Sequence, residues 1–201
     1  MGLITGGRQA LLALLMLCTL PGCVAMTTVA AVPGSLVGAV ADQFVGQEVS
    51  VAYNMRHTIA SIQSVLQSTS LDIDILEMQK DGAYMIGFSN NKLDGTISLR
   101  KQTERLTTIY IKVRANTREE SVESAIISLL EQELKSLPDS AQFKKERYHK
   151  LMDAPSTASA SVGWFRQGAR LSAEQSEKHD WLKIKLPSGT IAYLKGSIVA
   201  R

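Results

Sequence analysis

The distribution of charge along the chain is uneven, and it limits where a folded body can lie. No Asp, Glu, Lys or Arg occurs between Arg8 and Asp42, whereas charged residues are frequent from there to Arg201. The surface of a water-soluble domain carries charged side chains. We therefore expect the stretch before Asp42 to serve targeting or tethering and the remainder to fold.

The remainder has the composition of an ordinary globular protein. The 201 residues are 45% hydrophobic and 20% charged, which excludes disordered and collagen-like chains and allows one large or two small domains. The 22 Lys and Arg residues against 19 Asp and Glu residues give a net charge of +3. This balance does not indicate a nucleic-acid partner.

The N-terminus has the order of a signal peptide. Arg8 precedes a Leu-rich run from Ala10 to Leu20, which has the length of a secretory apolar region and is too short to span a bilayer. The following Leu20-Pro21-Gly22-Cys23 resembles the lipobox of bacterial lipoproteins. That resemblance implies a signal peptide over residues 1–22, cleavage between Gly22 and Cys23, and lipid attachment at Cys23 through a diacylglycerol and acyl groups such as palmitate.

Lipid at Cys23 would hold the protein on a membrane without a spanning helix. Two or three acyl chains give stable anchoring, whereas one chain is marginal. Val24, rather than Asp, follows the cysteine, and in the lipoprotein sorting pattern this implies the outer membrane, facing the periplasm. Cys18 lies inside the signal peptide, so the mature chain has no disulfide. An uncleaved anchor is the alternative.

Residues 23–46 are read as the lipidated N-terminus and a small-residue tether. Gly34 and Gly38 have the spacing of packed membrane helices, so a second spanning helix is a rival interpretation. Pro33 and several hydroxyl residues make the segment weakly apolar, and no basic cluster follows it.

Residues 47–138 show alternating and helical apolar spacings in the order strand, helix, four strands, helix. The turn and cap signals are Asn54 before the first helix, Asp81-Gly82, a reversal near Thr103 to Leu106, the capping box Thr117-x-x-Glu120, and Pro138 closing the second helix. The pattern predicts the α+β class, as a two-layer sandwich with an antiparallel sheet. With the lipobox, residues from about Val37 to Leu137 resemble a family of small bacterial lipoproteins of unknown function, which implies fold and compartment but no activity.

After a polar linker at 139–147, residues 148–201 change in character. Val162-Gly163-Trp164-Phe165-Arg166, Asp180-Trp181-Leu182 and Ala192-Tyr193-Leu194 resemble successive blocks of bacterial Src-homology-3-like domains. The resemblance implies a small all-β barrel of a kind found in proteins that work at the cell wall. The alternation before the turn Pro187-Ser188-Gly189 also predicts a hairpin.

Two groups of side chains are candidates for binding. Trp164, Trp181 and Tyr193 could line an aromatic ligand groove, or they could fill the interior of the barrel. Arg100, Lys112 and Arg114 alternate against the apolar positions of two strands, so they would share the outer sheet face with Tyr110. That basic face would suit lipid headgroups or peptidoglycan carboxylates, or it could be a solvated face.

Residues with catalytic or metal-binding potential are scattered. The histidines lie on separate predicted elements and are read as surface residues: His57, His149 and His179. Asp72, Asp74 and Glu77 are read as a solvated strand edge, and Ser89-x-x-Lys92 falls in a turn rather than at a helix N-terminus. We predict no catalytic residue, no metal and no cofactor.

The sequence therefore predicts a non-enzymatic lipoprotein of the bacterial cell envelope. In the leading interpretation, its C-terminal barrel binds peptidoglycan or a protein. The alternative is an accessory or assembly subunit of an envelope complex with no peptidoglycan contact. No nucleic-acid partner is expected.

Overall fold

The computed structural model describes residues 46–170 and 172–196. They form ten strands and two helices: β1 (Gln47–Val51), α1 (Met55–Ser68), β2 (Asp72–Met78), β3 (Tyr84–Ser89), β4 (Asp94–Thr103), β5 (Leu106–Arg114), α2 (Glu120–Ser136), β6 (Tyr148–Met152), β7 (Ser161–Arg166), β8 (Ala173–Gln175), β9 (Trp181–Lys185) and β10 (Ile191–Lys195). The strands make one sheet in the order β1-β5-β4-β3-β2-β7-β6-β10-β9-β8, and every pairing is antiparallel.

Several local signals of the sequence are confirmed. Asn54 caps α1, since its side-chain oxygen accepts a hydrogen bond from the backbone N–H of His57 at 2.9 Å. Gly82 takes φ of +82° in the β2–β3 turn, a conformation that favours glycine. The β4–β5 reversal lies where Thr103 pairs with Leu106.

The predicted capping box of α2 is wrong. The helix begins at Glu120 after Glu119, and no side chain caps it. The preceding residues instead fold back on β5, where Ala115 N–H donates to the carbonyl of Thr117 at 3.0 Å and Glu119 N–H donates to the carbonyl of Val113 at 2.9 Å. Thr117 is therefore part of a tight turn and not a helix cap.

Both helices contribute to the larger hydrophobic core, which covers one face of the β1-to-β2 part of the sheet. The apolar side of α1 supplies Ile62 and Leu66, and α2 supplies Leu130. Strand residues such as Ile86 and Leu99 meet them and are fully buried. The helical spacing of these apolar positions allowed both helices to be predicted from the sequence.

The predicted fold class is wrong, because the sheet continues from the first half of the chain into the second. β2 pairs with β3 on one edge and with β7 on the other, through Ile75 opposite Phe165, Leu76 opposite Trp164, and Glu77 opposite Gly163. A two-layer α+β sandwich would end at β2. The described C-terminal strands also form no separate closed barrel, because β7 pairs with β2 while β8 is the open end of the sheet.

The C-terminal part of the sheet curls over its own outer face. Ser188, in the turn after β9, donates a backbone hydrogen bond to the carboxylate of Glu77 on β2 at 3.0 Å. β2 and β9 are four positions apart in the sheet. In a flat sheet the distance between these two strands would be about 19 Å. The curl encloses a second hydrophobic cluster built from Ile75, Leu151, Phe165, Ile184, Leu186 and Ala192.

The expected solvated edge at Asp72, Asp74 and Glu77 is also wrong, because β2 has a neighbouring strand on each side. Glu77 is 3% exposed and binds the β9–β10 turn. Arg166 of β7 forms an ion pair with Asp74 at 2.7 Å and with Asp72 at 3.5 Å. These carboxylates join the two halves of the sheet.

The segment at 139–147 contains no helix or strand, and it contacts α1. The side-chain amide of Gln63 donates to the carbonyl of Lys144 at 3.1 Å, and its oxygen accepts from Lys144 N–H at 2.7 Å. The domain boundaries within 47–201 stay predictions. The signal peptide, the lipidation site and the tether up to residue 45 lie outside the described residues, as does the rival second spanning helix. Within the described ranges, no helix has both the length and the apolar character needed to cross a membrane.

Candidate binding cleft

The strand register brings the predicted basic residues to one face. In the β4–β5 ladder, Arg100 lies opposite Thr108, Lys112 opposite Thr96, and Arg114 opposite Asp94. Partners in an antiparallel ladder project from the same side of the sheet. The intervening residues, such as Ile111, point into the helix-covered core. All three basic side chains therefore lie on the face away from the helices.

These side chains line a cleft of about 390 Å³. Its floor is the outer face of β4 and β5, with Thr96 and Ser98 between the basic residues. Gln79 and Asp81 from the β2–β3 turn line it as well. The remaining wall is the β9–β10 turn, which the curl of the sheet places over β2 and β3 and which contributes Pro187 and Ser188.

The charge in the cleft is only partly neutralised. Arg114 pairs with Asp94 at 3.2 Å, and both side chains are more than half exposed. Within the described residues, neither Arg100 nor Lys112 has a carboxylate within 4 Å. Both are half-buried. Two cations partly withdrawn from water, with no carboxylate in ion-pair contact, favour the binding of an anion.

Tyr110 lies on the cleft face of β5, between Thr108 and Lys112. Burial raises the pKa of its hydroxyl, and the hydrogen bond to Glu48 and the charge of Glu48 raise this pKa further, while Arg100 acts in the opposite direction. The phenol is therefore uncharged at neutral pH. It adds a polar group, and no negative charge, to the surface between the two basic residues.

The three aromatic candidates do not form one groove. Trp164 packs against the larger hydrophobic core, with its ring centroid 6.3 Å from that of Phe143. Trp181 is 4% exposed and lines a separate cavity. Tyr193 is half-buried on β10 on the same face as Trp181, because Tyr193 opposes Lys183 and Lys195 opposes Trp181.

The structure shows no metal site within the described residues, since no group of three or more His, Cys, Asp or Glu side chains is placed to hold an ion there. The reading of His57 as a surface residue is wrong. It is 1% exposed, and because a carbonyl can only accept, its Nε2 donates to the carbonyl of Leu134 at 3.1 Å. The ring also stacks on Tyr53 at 5.1 Å.

Sequence reasoning found the basic residues and missed the other walls of the cleft. Arg100, Lys112 and Arg114 were visible because alternation along two adjacent strands fixes their face. Pro187 and Ser188 were predicted only as a turn. Their part in the cleft depends on the contact with Glu77, more than a hundred residues away, for which no local pattern exists.

Scans against protein-family models and curated proteins returned no match to this chain. The resemblances to a lipoprotein family and to Src-homology-3-like domains stay predictions, and the barrel implied by the second is replaced by the curled sheet described above.

Proposed function

We propose that the protein is a non-enzymatic, lipid-anchored binding protein of the bacterial cell envelope, and that its outer-face cleft binds a carboxylate-bearing peptidoglycan ligand. The observation that carries the proposal is the position of Arg100 and Lys112, two half-buried cations in one cleft with no carboxylate within 4 Å among the described residues. Carboxylates are the anionic groups of peptidoglycan stems, and guanidinium and ammonium groups are their usual partners.

The spacing of the cations supports an extended ligand. Arg100 opposes Thr108, and Lys112 lies four residues further along the same strand, which corresponds to about 14 Å of β-strand. A single small anion cannot contact both side chains at that separation without large side-chain movement. A chain molecule with several carboxylates can do so, and Ser98 and Tyr110 lie between the two cations on the cleft face.

The C-terminal segment was expected to bind a ligand as a barrel, but in this proposal it contributes one wall of the cleft, at Pro187 and Ser188. Binding is assigned to the cleft between the β9–β10 turn and the face of β4 and β5, and not to a barrel. Attachment at Cys23 would hold the cleft near the periplasmic face of the outer membrane and raise its effective concentration at the cell wall.

The test is sedimentation of the full-length protein, in detergent, with purified peptidoglycan sacculi. The variant Arg100→Gln/Lys112→Gln removes the two cleft cations that have no carboxylate within 4 Å among the described residues. Its control, Arg56→Gln/Lys135→Gln, removes one Arg and one Lys from exposed helix positions. We expect the cleft variant to bind about tenfold more weakly or worse, because charged hydrogen bonds contribute about 1.5–3 kcal/mol each before solvent screening. The control should bind like the wild type.

Equal sedimentation of the two variants contradicts the proposal. If the wild type does not sediment, while one envelope protein co-purifies stoichiometrically and is lost from the cleft variant, the chain is an accessory or assembly subunit instead. Rising salt should weaken cleft binding, because the side chains are only half-buried.

A further inference from the structure

A second basic surface lies on the opposite face of the sheet, beyond the part that the helices cover. On β9 and β10, Ile184 and Ala192 point into the smaller hydrophobic cluster. The alternate positions point the other way, since Trp181 opposes Lys195, Lys183 opposes Tyr193, and Lys185 opposes Ile191. Lys150 joins them from β6, where its neighbour Leu151 is in the cluster. We name this surface the lysine face: Lys150, Lys183, Lys185, Lys195, Trp181, Tyr193 and Ile191.

Two of the lysines, Lys150 and Lys195, line one cavity. Tyr193 on β10 pairs with Met152 on β6, and Lys195 and Lys150 each lie two residues from this pair in their own strand. Both side chains line a cavity of about 300 Å³ together with Trp181 and Met152. Like charges that share one cavity repel each other. Such a pair is tolerated where water or an external anion screens it.

The acidic side chains nearby do not neutralise this surface. Glu174 on β8 opposes Lys183. No lysine of the face has an ion-pair partner within 4 Å among residues 46–170 and 172–196. Among the paired strand positions described, the face therefore carries four lysines and one opposing carboxylate, a local excess of positive charge in a chain whose net charge is +3.

Apolar groups lie among the lysines. Ile191 is 50% exposed, and among the described residues it is one of two large hydrophobic side chains that are exposed. It lies on β10 next to Tyr193 on the same face, while Trp181 and Met152 form the less exposed floor of the cavity. An aliphatic and an aromatic side chain surrounded by lysines is the arrangement found at membrane interfaces, where long basic side chains reach headgroups and apolar groups enter below them.

We propose that the lysine face docks on a membrane surface of anionic phospholipid, with Lys150 and Lys195 binding headgroup phosphates and Ile191 entering the interface. The cations extend over three adjacent strands, which suits a laterally extended anionic surface better than a single small ligand. Each lysine near such a surface contributes about a fivefold increase in partitioning. This docking is independent of the cleft, which lies on the other face of the sheet.

The test is lysine labelling of the full-length protein reconstituted in vesicles of phosphatidylcholine alone or of phosphatidylcholine with phosphatidylglycerol. Reductive methylation is followed residue by residue by mass spectrometry, and Lys92 and Lys135, both exposed elsewhere, are internal controls. We expect labelling of the four face lysines to slow severalfold on the anionic vesicles only, and this protection to disappear in high salt.

The variant Lys150→Gln/Lys195→Gln should largely lose the protection of Lys183 and Lys185, whereas the charge-matched Lys92→Gln/Lys135→Gln should retain it. Equal labelling in the two kinds of vesicle overturns the proposal, as does protection that survives in the Lys150→Gln/Lys195→Gln variant. In a third labelling experiment, soluble glycerol phosphate replaces the vesicles. If it protects the lysines as well as the vesicles do, the face is a small-anion site and not a membrane surface.

Discussion

Replacing Gly163 with alanine tests whether the sheet runs unbroken from β2 into β7. A Cβ atom at this position would lie 2.3 Å from the carbonyl oxygen of Leu76 and 3.2 Å from the Cα of Glu77. Both neighbours are backbone atoms of the paired strand. The strands would have to separate by roughly 0.7 Å, from 2.3 Å to the 3.0 Å that real Cβ atoms require.

The expected loss of stability follows from that separation. Overpacking against atoms that cannot move costs about 1–3 kcal/mol. Weakened ladder hydrogen bonds add about 1 kcal/mol each. The lower entropy of the unfolded alanine chain offsets about 0.4–1 kcal/mol of this. We expect Gly163→Ala to lower the free energy of unfolding by about 2–4 kcal/mol.

The assay is urea unfolding of the full-length protein, followed by tryptophan fluorescence and by far-ultraviolet circular dichroism. Gly87→Ala is the matched control, since it is also a strand glycine and its Cβ would be in ordinary contact, 3.4 Å from Cγ of Pro187. We expect its stability to change by less than about 1 kcal/mol. Both probes should report one shifted transition for Gly163→Ala. A Gly163→Ala protein as stable as the control would refute the β2–β7 pairing.

Two further outcomes follow from individual side chains. Burial raises the pKa of Glu123, but hydrogen bonds from Arg118 and from the Val113 N–H outweigh this, so its pKa is lowered overall. Its stabilising contribution is therefore present above the unfolded value of 4.5 and lost as pH falls through the folded value, and Glu123→Gln should flatten the acid limb of a plot of urea midpoint against pH. The mature protein should have the mass of a chain that begins at Cys23 plus acyl groups, and Cys23→Ser should abolish both the cleavage and the added mass.

Local structure was predictable wherever neighbouring residues determine it. The cap at Asn54 needs only a side-chain oxygen three residues before an available N–H, and the turn at Gly82 needs only a residue that tolerates positive φ. Alternation likewise placed Arg100 and Lys112 on one face. The predicted cap at Thr117 is wrong because the backbone before α2 turns back onto β5, and Thr117 is part of that turn.

The predicted fold class is wrong for a different reason. The pairing of β2 with β7 joins segments about ninety residues apart, and no periodicity within either segment shows which partner it takes. Two signals were present in the sequence. In β2, Glu77 continues the alternating series of Ile73 and Ile75, whose other members are apolar. In β7, Gly163 stands between the bulky residues Val162 and Trp164. A buried acid and a strand glycine both indicate close approach by another segment.

The cleft and the lysine face can be separated because they lie on opposite sides of one sheet. The cleft residues share their face with Ile75 and Glu77, which the curled C-terminal strands cover. The lysine face is the reverse side of those curled strands. A protein held to the membrane by the lysine face would thus keep its cleft on the other side of the sheet. Arg100→Gln/Lys112→Gln should then reduce sacculus binding without altering lysine protection, and Lys150→Gln/Lys195→Gln should have the converse effect.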